Sequence, residues 1–195
     1  MAKVHPQATV SDPCSMSSAG RETFTIWMKS LVCHTNGCTV FDSKGEIVYR
    51  VENYDSKGSS EVHLMDLRGQ VLFTILKQKL QLFGCWNGYR GSFTGRKKEN
   101  PYFQVKKYRS IIQRDLSCQV SVGFDKYWIV SLGRKKQGFK MVNLAGDIVA
   151  EVKQRQLSSG MVLGDDVLTL EAEPSINHSL VVALVTVYGL INRRL

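Results

Sequence analysis

The stretch HSLVVALVTVYGLINRRL, residues 178–195, decides the fold of this protein. Residues 180–191 within it carry no charge, although the chain as a whole, 195 residues with 43% hydrophobic and 22% charged, has the composition of a globular protein. A helix of twelve residues is about 18 Å long, whereas the hydrocarbon of a bilayer is about 30 Å thick. The length of the apolar run therefore favours a buried core helix over a membrane span.

The flanking residues favour a helix over a strand. Pro174 ends the preceding run, Ser175 or Asn177 can cap the first turn, and Arg193 and Arg194 follow where cations stabilise a helix C-terminus. We predict a helix over about residues 176–192. Because this helix is apolar on every side, it must be surrounded by other parts of the protein.

A repeated pattern predicts three β-hairpins. The segments FDSKGEIVYRV (41–51), MDLRGQVLFTI (65–75) and VNLAGDIVAEV (142–152) each place Asp or Asn ahead of a Gly that can adopt the positive φ of a tight turn. After each Gly, apolar and polar residues alternate, as in a strand with one face on the core and the other in water. The polar side chains expected in water are Glu46, Arg50, Glu52, Asp147, Glu151 and Lys153.

Other segments also have the composition of strands. They are residues 24–33, 38–42, 61–66, 80–86, 102–108, 117–122, 127–132, 138–143 and 167–173. With the three hairpin runs they make about twelve short strands in one domain, residues 23–195, behind a flexible N-terminal tail, residues 1–22. Closing this sheet removes its exposed edges, so the predicted fold class is mainly β: a twelve-stranded closed antiparallel β-barrel around a central hydrophobic C-terminal α-helix.

Four segments resemble the plant LURP-one-related proteins. They are FTIWMKSLVCHTNGCTVFDSKGEIVYRVENY (24–54), EVHLMDLRGQVLFTILKQKL (61–80), the turn LFGCWNGYRG (82–91) and the terminal stretch 178–195. The resemblance implies the tubby C-terminal-like fold, a twelve-stranded barrel around a helix that phospholipid scramblases share. It also implies an association with plant defence, but no activity. Tubby domains bind phosphoinositides, so for a lipid ligand the resemblance offers only an analogy.

The positive charge of the chain is concentrated in one region. Residues 90–136 hold twelve Lys or Arg and three Asp or Glu, a surplus of 12 − 3 = +9 that equals the formal charge of the whole protein. Such a region attracts anionic lipid or nucleic acid, although it is also compatible with a merely solubilising surface. The tetrapeptide Gly-Arg-Lys-Lys occurs twice, at 95–98 and 133–136, between predicted strands. The candidate residues for binding an anionic ligand are Arg96, Lys97, Lys98, Lys106, Lys107, Arg109, Arg134, Lys135 and Lys136.

The sequence offers no pattern typical of catalysis or of a metal site. Nucleophile elbow, phosphate-binding loop and dinucleotide fingerprint are all missing, and the four histidines are isolated along the chain. Cys33, His34 and Cys38 lack the second cluster that a tetrahedral zinc site needs. Asp165, Asp166, Glu171 and Glu173 lie roughly where scramblases are proposed to bind calcium, but Glu171 and Glu173 alternate with apolar residues and are better explained as the solvated face of a strand.

We therefore expect a monomeric binding protein without enzymatic activity, catalytic residues, cofactor or metal. The preferred ligand is an anionic membrane lipid such as a phosphoinositide; the alternative is a protein-partner adaptor or a nucleic-acid-binding, transcription-related module. The five scattered cysteines and the lack of a signal peptide favour an intracellular, cytoplasmic protein. The nucleus and the periphery of the plasma membrane are the other compartments compatible with these ligands.

Overall fold

Twelve antiparallel strands close into a barrel in the computed structural model. The structure describes residues 20–28, 36–56, 59–78, 84–93, 100–109, 116–132, 138–154, 164 and 166–192. The predicted N-terminal tail therefore lies outside the described residues, apart from positions 20–22. The elements are β1 Glu22–Trp27, β2 Asn36–Phe41, β3 Ile47–Ser56, β4 Ser59–Met65, β5 Val71–Gln78, β6 Cys85–Arg90, β7 Phe103–Arg109, β8 Leu116–Val122, β9 Asp125–Leu132, β10 Gly138–Asn143, β11 Ile148–Gln154, β12 Val167–Ala172 and α1 His178–Ile191.

Each strand pairs with its neighbours in the sequence, and β1 closes the ring by pairing with β12. The predicted fold class is confirmed. Because consecutive strands are antiparallel, the turns that follow β2, β4, β8 and β10 all lie at one end of the barrel. Helix α1 also starts there, with Nδ1 of His178 3.3 Å from Oε2 of Glu22 at the beginning of β1. We call this the helix-entry end and the opposite one the helix-exit end.

Helix α1 fills the barrel. Every residue from Leu180 to Gly189 is buried, and Tyr188 packs against Phe139 of β10 with ring centroids 4.2 Å apart. The helix begins where Oδ1 of Asn177 accepts a hydrogen bond from the Leu180 backbone N–H at 3.0 Å, which confirms one of the two predicted caps. Arg193 and Arg194 lie outside the described residues. A ring of twelve strands is wider than its own inward side chains can fill, and the helix supplies the missing apolar volume.

The three repeated hairpins form as the sequence predicts. Asp42 and Asp66 each accept, through Oδ1, hydrogen bonds from the backbone N–H groups two and four residues on, at 2.8–2.9 Å. Asn143 accepts from the Asp147 N–H in the same way, at 2.9 Å. The glycine of each turn has φ between +78° and +91°, a conformation that costs other residues energy. The side chain and the glycine together hold each turn in a single shape.

Two expectations about strands need correction. Of the strand expected over 80–86, residues 80–83 lie outside the described residues, and β6, Cys85–Arg90, continues past residue 86 into the stretch interpreted as a turn. Gly88 lies in the middle of β6, and a glycine is required there because the ring of Phe103 on β7 occupies the space where a side chain would be. The strand expected over 24–33 ends at Trp27, and residues 29–33 lie outside the described residues.

Glu52 is a third correction. It lies on the outward side of β3, as predicted, but it is only 8% exposed, so it does not face open water. Thr39 on the neighbouring strand β2 is 1% exposed, which shows that this part of the outer wall is covered. The Glu52 carboxylate has Nη2 of Arg50 at 3.8 Å, so a buried charge is accompanied by one of opposite sign.

Within the described part of the chain, no helix has both the length and the apolar character needed to cross a membrane. Helix α1 has 14 residues and is about 21 Å long, which is less than the roughly 30 Å of bilayer hydrocarbon.

Replacing a central residue of α1 tests the filling of the barrel. Leu184 is 1% exposed in the middle of the helix, and Leu184→Ala should lower the free energy of unfolding by about 2–5 kcal/mol through lost burial and a new cavity. Urea denaturation followed by circular dichroism measures this loss. Leu67→Ala is the control, because Leu67 is 63% exposed and its truncation should cost less than about 0.5 kcal/mol. Equal, small effects would show that the helix is not packed in the barrel.

The contact between Gly88 and Phe103 predicts a coupled pair. A Cβ added at Gly88 would lie 2.1 Å from the Phe103 ring, so Gly88→Ala should destabilise the protein strongly. In the Phe103→Ala background the ring is gone, and Gly88→Ala should then cost little. A double-mutant cycle from unfolding curves measures the coupling, and strictly additive losses would contradict the contact.

Candidate functional site

The outward side of strands β7–β10 forms a basic surface. Side chains alternate along these strands, so one set packs into the core and the other points outward. We call the outward set the basic face. It consists of Gln104, Lys106 and Tyr108 on β7, Ser117, Gln119 and Ser121 on β8, Lys126, Trp128, Val130 and Leu132 on β9, and Gly138, Lys140 and Val142 on β10.

This surface carries cations and no acids. Lys106 and Lys126 are exposed and Lys140 is half-buried, and among the described residues none of the three forms an ion pair. The nearest carboxylate across a strand pair is Glu151 on β11, opposite Lys140, but it already has Nζ of Lys153 at 2.8 Å. The basic face is therefore a region of uncompensated positive charge.

Two aromatic side chains lie among these lysines. The ring of Tyr108 meets the ring of Trp128 edge to face across β8, with centroids 5.9 Å apart and planes at 90°. Tyr108 remains 57% exposed. Lys106 and Trp128 share one row of the sheet, each opposite Gln119. An amphipathic ring beside an ammonium group suits a ligand that has both negative charge and an apolar part.

Only part of the predicted binding residues can be located. Lys106 is on the basic face, whereas Lys107 has the opposite orientation and lies across from Cys118 on β8. The backbone of Arg109 ends β7, but its side chain is outside the described residues, as are Arg96, Lys97, Lys98, Arg134, Lys135 and Lys136. The adjacent lysines 106 and 107 are thus separated by the wall of the barrel.

The strand ends that flank the two Gly-Arg-Lys-Lys tetrapeptides lie at opposite ends of the barrel. The first follows β6 and precedes β7, and the strand ends that flank it, Arg90 and Phe103, are at the helix-entry end. The second follows β9 and precedes β10, whose flanking ends, Leu132 and Gly138, are at the helix-exit end. The topology therefore gives no support to one compact headgroup site built from both.

The candidate residues chosen from sequence omit three members of this surface. Lys126 lies in the basic region 90–136 but is not among the candidate residues, and neither are Trp128 and Lys140. Their signal was the alternation in KYWIV, 126–130, where Lys126, Trp128 and Val130 share one face. The alternation shows which residues share a face. Only the pairing of strands brings Lys106 and Lys140 to the same surface.

The described cysteines are buried thiols. Burial raises the pKa of Cys38 and of Cys118 to about 12, and it also raises the pKa of Cys85, partly offset by the nearby Lys106 ammonium. At neutral pH these groups are therefore protonated, whereas a thiolate is the form that acts as nucleophile or metal ligand. The predicted cluster of Cys33, His34 and Cys38 can be followed only at Cys38, because the other two are outside the described residues.

His63 is not isolated, although the sequence suggested that it is. Its Nε2 lies 3.2 Å from Oε1 of Glu61, and its Nδ1 lies 3.2 Å from Oγ1 of Thr74. This order of carboxylate, imidazole and hydroxyl is that of a hydrolytic triad. However, Thr74 is completely buried and its hydroxyl donates to the Gly91 carbonyl at 2.7 Å, so a substrate has no access to it. The three residues form a structural network on the outer wall.

His178 and the acidic residues before α1 also have structural partners. The His178 ring packs on Phe24 and has the Glu173 carbonyl 3.3 Å from Nε2. Glu173 forms an ion pair with Arg21 at 2.9 Å, and Asp166 accepts a hydrogen bond from the Trp27 indole N–H at 3.2 Å. Glu171 lies on the outward side of β12, as predicted, while Asp165 is outside the described residues. Among the described side chains no group of three or more His, Cys, Asp or Glu could hold a metal ion.

A cleft of about 610 Å³ lies on another part of the outer wall. Its lining includes Thr25 of β1, Thr169 of β12 and the turn 42–45. It forms where β1 and β2 pair over only three residues, so that the β2–β3 turn stands away from the start of β1. The described lining has one cation, Lys44, and one acid, Asp42, so the cleft is chemically unlike the basic face.

Comparisons with known proteins agree with this architecture. The sequence profile of the LURP-one-related family matches residues 22–189. Protein LURP-one-related 4 of Arabidopsis thaliana is 52% identical over 98% of this chain and 87% of its own length. Protein LURP-one-related 11 of the same plant is 42% identical over 98% of this chain and 89% of its own.

A solved X-ray structure of an Arabidopsis thaliana protein has the same fold. It superposes with a TM-score of 0.62 over 89% of this chain and 92% of that chain, at 14% sequence identity. At that identity the likeness concerns the fold alone, whereas the matches in sequence extend over nearly the whole domain. This chain therefore belongs to the LURP-one-related family.

Proposed function

We propose that this protein is a non-enzymatic binding protein whose basic face binds the anionic headgroups of a membrane, with phosphoinositides as the preferred lipids. The observation that supports the proposal is the segregation of charge on the outer wall. Three lysines lie on the outward side of four adjacent strands without an outward acid among them, while on β3 the charges are paired, as in Arg50 with Glu52. Each lysine near an anionic surface contributes about 1 kcal/mol.

The shape of the basic face favours an extended surface over a single small ligand. Lys106, Lys126 and Lys140 project from three different strands of a convex wall, and no described cavity has them in its lining. One phosphate cannot bridge such spread charges, whereas a bilayer offers many headgroups at once. A soluble inositol phosphate should consequently compete weakly with vesicles.

A nucleic-acid ligand is the second candidate, and the Tyr108–Trp128 pair is the observation that favours it. Aromatic rings among lysines also bind single-stranded nucleic acid, because its bases stack on the rings. The two ligands differ in their dependence on salt and on composition. Binding to DNA or RNA would fall steeply with salt and would not require lipid.

Removing the three lysines tests the proposal. The triple variant Lys106→Ala, Lys126→Ala, Lys140→Ala should bind vesicles of phosphatidylcholine, phosphatidylserine and a phosphoinositide about 100-fold more weakly, from about 3 kcal/mol of lost attraction. Cosedimentation at constant lipid and 0.1 M salt measures the affinity. Neutral phosphatidylcholine vesicles should show little binding of either protein.

The matched control removes the same charge elsewhere. Lys44→Ala, Arg68→Ala, Lys77→Ala takes away three cations that are not on the basic face, so any general effect of net charge is equal. The control should retain most of the binding. An equal loss in both triples, or equal binding of wild type to neutral vesicles, would refute the proposal.

Separate variants of the two tetrapeptides test whether they act independently. We predict that Ala at 96–98 and Ala at 134–136 each weaken vesicle binding, and that the two losses combine additively, because the flanking strand ends are at opposite ends of the barrel. The same cosedimentation assay decides this. If only the combined variant lost vesicle binding, or if either variant alone lost it completely, the two tetrapeptides would instead share one site.

The association with plant defence that the family resemblance implies is part of the same proposal. Plants that lack this protein should respond differently to pathogen challenge, and wild type should restore the response. The lysine triple variant, expressed at the same level, should fail to restore it. Restoration by that variant would separate the defence role from anionic lipid.

A further inference from the structure

Exposed apolar side chains gather at the helix-entry end of the barrel. Among the described residues the exposed large hydrophobic side chains are Leu67 at 63%, Tyr108 at 57%, Phe124 at 105% and Leu144 at 71%. Leu67, Phe124 and Leu144 are each at the tip of a hairpin: β4–β5, β8–β9 and β10–β11. All three hairpins turn at the same end. Single exposed apolar residues are common on proteins, but three on the tips of one end form a pattern.

The tips are held outward by their turns. Leu144 directly follows Asn143, whose side chain binds both the backbone N–H and the carboxylate of Asp147 at 2.9 Å. Leu67 occupies the same position after Asp66, which accepts two backbone N–H groups. Phe124 follows Gly123, whose φ of +57° allows the tight β8–β9 turn. Such turns cannot fold back to bury the side chain without losing these hydrogen bonds.

Two of the three tips border the basic face. The β8–β9 and β10–β11 hairpins contain β8, β9 and β10 of that face, so Phe124 and Leu144 lie at its helix-entry edge. Lys126 follows Phe124 by two residues on the same hairpin. Leu67 belongs to the β4–β5 hairpin, six strand positions round the twelve-stranded ring from β10–β11, and is therefore on the other side of the barrel.

We propose that Phe124 and Leu144 insert into the acyl boundary of the membrane whose headgroups the basic face binds. This inference rests on the proposed function and specifies how the barrel docks: tilted, with the β8–β9 and β10–β11 tips in the bilayer and the lysines at headgroup level. Apolar tips beside cations match the two layers of an anionic membrane, which are hydrocarbon below and phosphate above.

A bilayer suits these tips better than a protein partner does. Phe124 and Leu144 are single large apolar side chains on separate hairpins, with polar neighbours such as Asp125 and Asp147. A stable protein interface needs a contiguous buried centre, whereas fluid lipid closes round each side chain separately.

The first test replaces the tips. Phe124→Ser and Leu144→Ser should each weaken binding to phosphoinositide-containing vesicles by about tenfold, from the apolar area each side chain buries. The residual binding at 0.5 M salt, where the attraction of the lysines is screened, should depend most strongly on the tips. Leu67→Ser is the matched control, since it changes the same residue type in the same kind of turn away from the basic face; it should change affinity less than twofold. Unchanged unfolding midpoints show that the variants are folded.

The second test reports depth directly. The Phe124→Trp variant should gain tryptophan fluorescence that lipids brominated on the acyl chain quench. The fluorescence that Leu67→Trp gains should not be quenched by the same lipids. The wild type supplies the background from Trp27, Trp86 and Trp128.

The outcomes separate the two proposals. If the lysine triple variant loses binding while both tip variants bind as wild type and Trp at 124 is unquenched, insertion is wrong and headgroup binding stands. If the tip variants lose binding and the lysine variant does not, insertion stands and the anionic preference is wrong. If wild type binds no vesicle of any composition, both fail.

Discussion

The enclosure of α1 by the barrel is the constraint on which the rest of this structure depends. Ten consecutive buried residues give the helix no face to present to water, so the sheet has to close round it. The sheet in turn needs the helix, because twelve strands enclose more volume than their inward side chains fill. Between α1 and strands β9–β11 an apolar cavity of about 10 Å³ remains, which is about the room that one water molecule needs. Neither element is stable in this form without the other.

A filled interior moves function to the outside of the barrel. Where other barrels hold a ligand, this one holds its own C-terminal helix, so what remains for recognition is the outer wall, its clefts and its hairpin tips. The outward positions of the strands are free to carry charge because they do not contribute to the core. On β3 and β4 that freedom is used for paired and partly covered groups such as Arg50 with Glu52. On β7–β10 the outward positions carry lysines and no acids.

The barrel wall also separates residues that are neighbours in sequence. Lys106 points outward beside Trp128, while Lys107 lies opposite the buried Cys118 and lowers the cost of ionising that thiol. A count of positive residues along the chain treats both alike. The same wall keeps His63, Glu61 and Thr74 together across β4 and β5, yet it buries the hydroxyl that catalysis would need. Proximity in the fold and access for a ligand are therefore separate conditions.

The sequence by itself determined the barrel, its three repeated hairpins, a helix cap at Ser175 or Asn177 and the family. Those features are encoded locally, in periodicity, in Asp or Asn before Gly, and in one unbroken apolar run. Its errors came where distant residues decide: much of the stretch interpreted as a turn is strand β6 because it pairs with β5 and β7, and Glu52 is buried because the outer wall is covered there. The basic face and its apolar tips were likewise decided only by tertiary structure. They join Lys106, Trp128, Lys140 and Leu144 from separate strands and turns, and strand pairing is a long-range property that no local pattern records.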